Sequence, residues 1–368
     1  ILEILKIAEE KIFLDLESNN NQGVVYTVDL ISDYSTFIID KIREGLNQKV
    51  NRSQPLKNLN IVVDAGNGAG GFFVDKILQK LGAKTTGSQF LKPDGYFPNH
   101  IPNPEDEDAM KAIKKAVVDN NADLGIIFDT DVDRAAVVDE YGLEINRNKL
   151  IALASALVLK EHPGSTIVTD SVTSKGLTVF IEEELGGNHH RFKRGYKNVI
   201  NEAIRLNKEG KESFLAIETS GHAAFKENYF LDDGAYLIAR VLMKMANMKA
   251  EKDGSISDLI DTLQEAEIKK EYRMKIKLEE FIDYGQRILK ELKSFVEQKA
   301  NWELTPKNYE GVRVNCNEND WFLLRMSLHD PVLVLNIECD SKENLNTIIN
   351  GLSTFLDKYK EIELDSIL

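Results

Sequence analysis

Apolar positions recur along the chain with more than one spacing, and the changes divide it. In residues 1–18, Ile4, Leu5, Ile7 and Ala8 stand among Glu and Lys at helical intervals, predicting one amphipathic helix. The polar stretch Ser18-Asn19-Asn20-Asn21-Gln22-Gly23 ends it as a linker does. Short apolar runs then alternate with helical patterns. Residues 59–64 predict a strand that passes through a glycine-rich turn into a helix over 72–81, stopped by Gly82. Pro104 and Glu105 open a second helix with Ala109, Ile113, Ala116 and Val117 on one face, and strands follow at 124–128 and 135–138. These make one α/β unit over 23–145.

The alternation repeats over 146–263. Strands are expected at 166–169, 190–193 and 214–217, with helices at 176–185, 197–206 and 236–248, the last begun by Asp232-Asp233-Gly234. Runs this apolar, separated by helices, predict parallel strands covered on both faces. Beyond about residue 264 the period becomes two: Tyr272, Met274 and Ile276 alternate with Arg273, Lys275 and Lys277, the mark of a sheet with one wet face. A helix over 279–299, strands at 312–316, 321–326 and 332–338, and a helix from Ser341 complete an α+β domain over 264–368, an antiparallel sheet with helices on one face. The expected architecture is therefore two tandem three-layer α/β/α units followed by an α+β domain, with residues 1–22 outside all three.

Charge and composition narrow the function. In 368 residues, 46 Lys and Arg face 60 Asp and Glu, a net charge of −14, which excludes broad electrostatic binding of nucleic acid and still permits a small basic pocket. Cys316 and Cys339 are too few for a disulfide framework and point to a reducing compartment, cytoplasm or plastid stroma. The longest apolar run, 150–159, falls short of the roughly 20 residues that span a membrane, and no signal-peptide pattern opens the chain, so neither a membrane nor secretion is expected.

Five segments could carry chemistry. Asp129-Thr130-Asp131-Val132-Asp133-Arg134 places three carboxylates at i, i+2 and i+4 between two strands. Their mutual repulsion calls for a countercharge, either a hard cation on oxygen ligands or basic neighbours; a solvated acidic turn is the plainer account. A calcium EF-hand fails because Arg134 stands where that loop needs Gly. Gly66-Asn67-Gly68-Ala69-Gly70-Gly71 has the form of a dinucleotide fingerprint, but residues 84–91 lack its acidic partner, which leaves a tight strand-to-helix crossover. Glu218-Thr219-Ser220-Gly221-His222 suits a polyhydroxylated ligand or is a polar turn. His189 to Lys197 is a basic island that either meets an anion or lies in solvent; for His189 and His190 themselves the solvent reading is preferred. Arg325-Met326-Ser327-Leu328-His329-Asp330-Pro331 makes a phosphate cradle or a tight turn.

In order and wording these segments resemble the α-D-phosphohexomutases, the phosphoglucomutase/phosphomannomutase superfamily, over about residues 23–368. Asp129 to Arg134 is similar to that family's metal loop and Glu218 to His222 to its sugar loop. Val63 to Gly70, Pro93-Asp94-Gly95, Phe97-Pro98-Asn99-His100 and Pro102-Asn103-Pro104 read as family text, and Ser-Leu-His-Asp-Pro marks a plant- and bacterial-type variety. The resemblance implies a Mg²⁺ ion on Asp129, Asp131 and Asp133, with Arg134 beside the transferring phosphate. It implies sugar hydroxyls on Glu218 and Ser220, Lys197 and His222 near the cleft, and a non-reacting phosphate on Arg325, Ser327 and His329. It further implies interconversion of hexose 1-phosphate and hexose 6-phosphate, primed by a glucose 1,6-bisphosphate-type compound, with a phosphoserine on a preceding domain. No Thr-Ala-Ser-His-like sequence occurs in these residues, so the nucleophile is expected on an N-terminal serine domain of which 1–22 is the tail, and this chain alone is expected to be inactive. The alternative expectation is a mutase-derived binding or structural subunit without chemistry. Val334 stands where the family often has a later Arg, which weakens the phosphate grip in principle.

Overall fold

A computed structural model describes residues 2–12, 23–252, 254–327 and 330–364. Helix α1 (Leu2–Glu9) buries none of its residues; residues 13–22 of the helix and linker expected here lie outside the described ones. The sequence pattern did not predict α2 (Leu30–Glu44), which Asp29 caps by accepting from Ser32 N. Ser35, Ile38, Ile39 and Ile42 form its buried stripe.

The first unit holds β1 (Ile61–Asp64), a π-helical segment (Phe73–Leu78), α3 (Glu107–Asp119), β2 (Leu124–Phe128), β3 (Ala135–Asp139) and β4 (Glu144–Ile145). Asp106 starts α3 by accepting from the N–H groups of Asp108 and Ala109. The sheet runs β1-β2-β3-β4. Only β1 and β2 are parallel; β2–β3 and β3–β4 are antiparallel. The acidic segment between β2 and β3 is too short for a crossover and closes a hairpin. Ala109, Ile113 and Val117 of α3 cover one face against Val62, Ile127 and Val138. Phe73 and Ile77 cover the other, in the core that contains Ile61, Val63 and Phe128.

The second unit holds α4 (Asn148–Glu161), β5 (Thr166–Thr169), α5 (Lys175–Val179), β6 (Asn188–Arg191), α6 (Tyr196–Lys208), β7 (Ser213–Ile217), β8 (Ala223–Phe225) and α7 (Gly234–Glu251). Strands order as β6-β5-β7-β8, parallel except for β8. The long apolar run sits buried in α4, and no helix among the described residues is long and apolar enough to cross a membrane.

The C-terminal domain holds β9 (Ile268–Lys275), α8 (Phe281–Val296), β10 (Glu303–Leu304), β11 (Val312–Asn315), β12 (Trp321–Met326), β13 (Val332–Cys339) and α9 (Lys342–Leu356). Its antiparallel sheet, β10-β11-β12-β13-β9, packs Met274, Phe322 and Leu335 against Ile288 and Leu292 of α8 and Leu352 and Phe355 of α9. The period of two leaves the opposite face, carrying Arg273, Arg325 and Glu338, toward the second unit. The fold is thus two α/β/α units and an α+β domain, as the alternation of elements implied.

Candidate active site

The acidic loop is built around Asp129, whose side chain is fully buried at the end of β2. Its Oδ1 accepts from Val132 N at 3.0 Å and Arg134 N at 3.1 Å, and its Oδ2 from Arg134 Nε at 2.9 Å. Arg134 also donates to Asn103 Oδ1 at 3.3 Å. These bonds hold Val132 at φ +74, a conformation that costs a β-branched residue about 1–3 kcal/mol. Gly234 N further fixes Val132 O at 3.0 Å. Asp131 projects into solvent and Asp133 is half-buried, yet one oxygen from each of the three carboxylates lies within 4.8 Å of the others. Burial pushes the pKa values of Asp129 and Asp133 upward, and Asp133 Oδ1 is buried without a partner. An orphaned buried oxygen in an all-oxygen donor set fits a hard cation such as Mg²⁺.

The glycine-rich turn serves this loop. A Cβ on Gly68 would lie 2.6 Å from Thr130 O, whose oxygen accepts from Ala69 N at 2.8 Å. Gly68 thus admits the backbone of the acidic loop. Gly68→Ala should therefore push the loop outward, lower stability by about 1–3 kcal/mol and weaken Mn²⁺ binding; calorimetric melting and Mn²⁺ titration read both. Beneath the turn, Asp64 is fully buried and accepts from Gly66 N at 2.8 Å and Gln89 Nε2 at 2.8 Å, with His100 Nε2 at 3.0 Å. The His100 bond to Asp64 raises the pKa of the imidazole against the effect of burial. This pair anchors the segment that delivers Asn103 to Arg134.

The turn after β7 lies directly on the acidic loop. Arg134 and His222 form an antiparallel backbone bridge, and Gly221, at φ +98, presents its carbonyl to Ala135 N at 3.4 Å. His222 Nδ1 bonds Asp232 Oδ2 at 2.7 Å and stands 3.6 Å from Asp133 Oδ2, while its ring stacks on Tyr196 with centroids 5.1 Å apart. Burial lowers the pKa of His222, but the Asp232 hydrogen bond and the surrounding carboxylates outweigh it and the net shift is upward.

Glu218 is 3% exposed and accepts from Gly195 N at 2.6 Å. Burial, then the charge of Asp170, push its pKa from 4.5 up to about 7. The folded chain therefore binds more protons than the unfolded one between these values, so stability should fall as pH rises from about 4.5 through 7 and level off above. Glu218→Gln should remove that slope, worth a few kcal/mol, in denaturation curves measured across the range.

The third wall comes from the C-terminal sheet. Arg325 is 5% exposed, and its Nε is buried without a partner. Ser327 N donates to Val332 O at 2.8 Å, and its Oγ accepts from Asp330 N at 3.3 Å. Arg313 locks this domain to the second unit: it donates to Ser171 O at 2.8 Å and Thr173 O at 3.0 Å and stacks 3.5 Å from the Trp321 ring centroid.

A cleft of about 780 Å³ joins the three units, and Arg134, Glu218, Ser220, His222, Arg325 and Ser327 line it together. Of the acidic loop, Arg134 lines it, while Asp129, Asp131 and Asp133 stand behind Arg134 and are not among the lining residues. Lys197 stands apart, exposed on the first turn of α6 with Nζ 5.9 Å from the Tyr196 ring centroid, and is not among the lining residues. His329 lies outside the described residues. Arg147 and Arg273 line the cleft without having been singled out by the sequence, and Arg194 and Tyr196 line it as members of the basic island. The fold splits that island: His189 is held between the hydroxyls of Thr169 and Thr178 at 2.8 Å each, His190 bonds Glu202 at 2.8 Å, and Arg191 donates to Ser174 O at 2.7 Å.

Residues 37–142 match the family model for phosphoglucomutase/phosphomannomutase alpha/beta/alpha domain II, and residues 146–266 that for domain III. A phosphoglucomutase of Neisseria gonorrhoeae is 30% identical over 358 residues, covering 97% of this chain and 71% of that protein. The chain belongs to the phosphoglucomutase/phosphomannomutase family. A phosphomannomutase/phosphoglucomutase of Pseudomonas syringae pv. tomato is 33% identical over 294 residues, 79% of this chain and 59% of that protein. The chain thus spans 59% to 71% of the length of these curated relatives. A crystal structure of a phosphoglucomutase/phosphomannomutase family protein from Burkholderia thailandensis superimposes with a TM-score of 0.74 at 26% identity, covering 96% of this chain and 69% of that one. The fold also matches, at a TM-score of 0.58 and 12% identity over 89% of this chain and 65% of that one, an N-acetylphosphoglucosamine mutase of Aspergillus fumigatus crystallised with GlcNAc-6P and magnesium.

Proposed function

We propose that this chain supplies the metal-, sugar- and phosphate-binding parts of a phosphohexomutase, an isomerase interconverting hexose 1-phosphate and hexose 6-phosphate. The observation that carries the reading is the backbone pairing of the acidic loop with the Glu218–His222 turn, at one end of a cleft whose far wall presents Arg325 and Ser327. Asp129, Asp131 and Asp133 would hold one Mg²⁺, which when bound offsets charge on a transferring phosphoryl group. Arg134, fixed by Asp129 and Asn103, lies beside the same group. Glu218 and Ser220 accept and donate to sugar hydroxyls, and Glu218 and His222 are the titratable groups at hand for the hydroxyl proton. Arg325 and Ser327, with His329, bind the phosphate that is not transferred. Lys197, on the outer side of α6, has no part in this reading.

The phosphoryl donor is a phosphoserine on the protein's own N-terminal domain, primed by glucose 1,6-bisphosphate. The sugar hydroxyl oxygen attacks phosphorus, the bond to the serine oxygen breaks, and the bisphosphate returns its other phosphoryl group to the serine. The test is a protein carrying the serine domain together with this chain, given Mg²⁺, glucose 1-phosphate and the bisphosphate primer. Glucose 6-phosphate should accumulate. Absence of isomerisation on every hexose and hexosamine phosphate tried would refute the reading.

A further inference from the structure

Arg325 of β12 pairs in register with Val334 of β13, and Val334 with Arg273 of β9, so the three form one row across the cleft face of the sheet. Val334 is fully buried, and an arginine stands on each side of it. Two antiparallel steps set their Cα atoms about 10 Å apart, within reach of a shared point for side chains of this length. Both line the cleft, together with Arg194. The buried, partnerless Nε of Arg325 leaves a cationic donor open to an anion. Arg273 leans the same way: its guanidinium lies 3.4 Å from Asp330 Oδ2, the carboxylate that also stands 3.5 Å from Ser327 Oγ. Glu271 Oε1 likewise lies 3.4 Å from Arg273. Asp330 and Arg273 are both more than half exposed in their side chains, 58% and 52%, so their mutual attraction is weak and readily exchanged.

We infer that Arg273 is the second guanidinium of the phosphate grip, opposite Arg325 across Val334, and that Asp330 occupies the anion's place beside Ser327 until phosphate displaces it. The inference deepens the phosphohexomutase reading and rests on it for the identity of the ligand. A phosphate dianion takes paired N–H groups from both arginines and carries more charge than the carboxylate it displaces.

Titration calorimetry of this chain with inorganic phosphate and with glucose 1-phosphate tests it. Arg273→Gln should weaken both ligands about tenfold or more, the loss of one charge-assisted contact. Arg273→Lys should recover part of that loss, since charge remains without the fork. In an Arg325→Gln background the added effect of Arg273→Gln should shrink, because both act on one anion. Wild-type affinity for both ligands in Arg273→Gln, with unchanged melting, would overturn the inference, as would a wild-type chain that binds no phosphate. A serine-bearing protein without isomerase activity that still shows this Arg273 dependence would refute the mutase reading and leave the anion grip standing.

Discussion

Asp131→Asn should abolish tight divalent-cation binding while leaving the fold unchanged, and Asp129→Asn should lose both. The contrast follows from where the two carboxylates sit. Asp131 is exposed at the tip of the loop, so an isosteric amide there costs no more than about 0.5 kcal/mol of stability. Loss of a direct ligand should still lower Mn²⁺ affinity by about two orders of magnitude or more, since even outer-shell partners are worth 10–100-fold. Asp129 instead holds two backbone N–H groups and the Arg134 guanidinium in a fully buried position. Removing its charge breaks a largely buried ion pair, at about 3–5 kcal/mol. Denaturant unfolding and Mn²⁺ titration on the two variants separate the effects. In wild type, Mg²⁺ at 100 times its dissociation constant should raise stability by about 3 kcal/mol. Undiminished Mn²⁺ binding by Asp131→Asn would remove the basis for the metal centre.

Arg313→Met should uncouple the C-terminal domain from the second unit. The side chain replaced donates to Ser171 O and Thr173 O and lies over Trp321. Methionine can still pack on the indole, but the two carbonyls lose their donors within a buried joint, at about 3 kcal/mol for the pair. The apolar core of the domain, with Phe322 and Leu335 against α8 and α9, is untouched. Unfolding should therefore separate into two transitions, the lower one belonging to the C-terminal domain, and sugar-phosphate binding should weaken because the far wall of the cleft is no longer held in place. One unshifted transition would show that other contacts hold the joint.

The parts of the fold that were legible in the sequence are those where the residues of one element speak for themselves. β2, β3 and α3 are written in uninterrupted apolar runs or clean helical spacing. Helix α2 was not, because Ser32, Asp33, Ser35 and Thr36 dilute its pattern, and Ser35 is buried with the isoleucines. The parallel run of β5, β6 and β7 was legible from the helices between them, whereas the antiparallel turn-back of β3 lay in the shortness of the 129–134 loop. The same division runs through the site. Three aspartates within one loop announce themselves, and so does the Glu218 turn. Arg147 and Arg273 are single charges on separate segments, and only tertiary approach makes them neighbours of the site.

The bridge between Arg134 and His222 has a practical outcome for anyone who wants to redesign this protein. Because the two loops are stitched main chain to main chain, the distance from the carboxylates of 129–134 to Glu218 is a fixed ruler. Swapping in a loop from a relative to alter sugar choice should succeed only when residues 129–134 and 218–222 travel as a matched set.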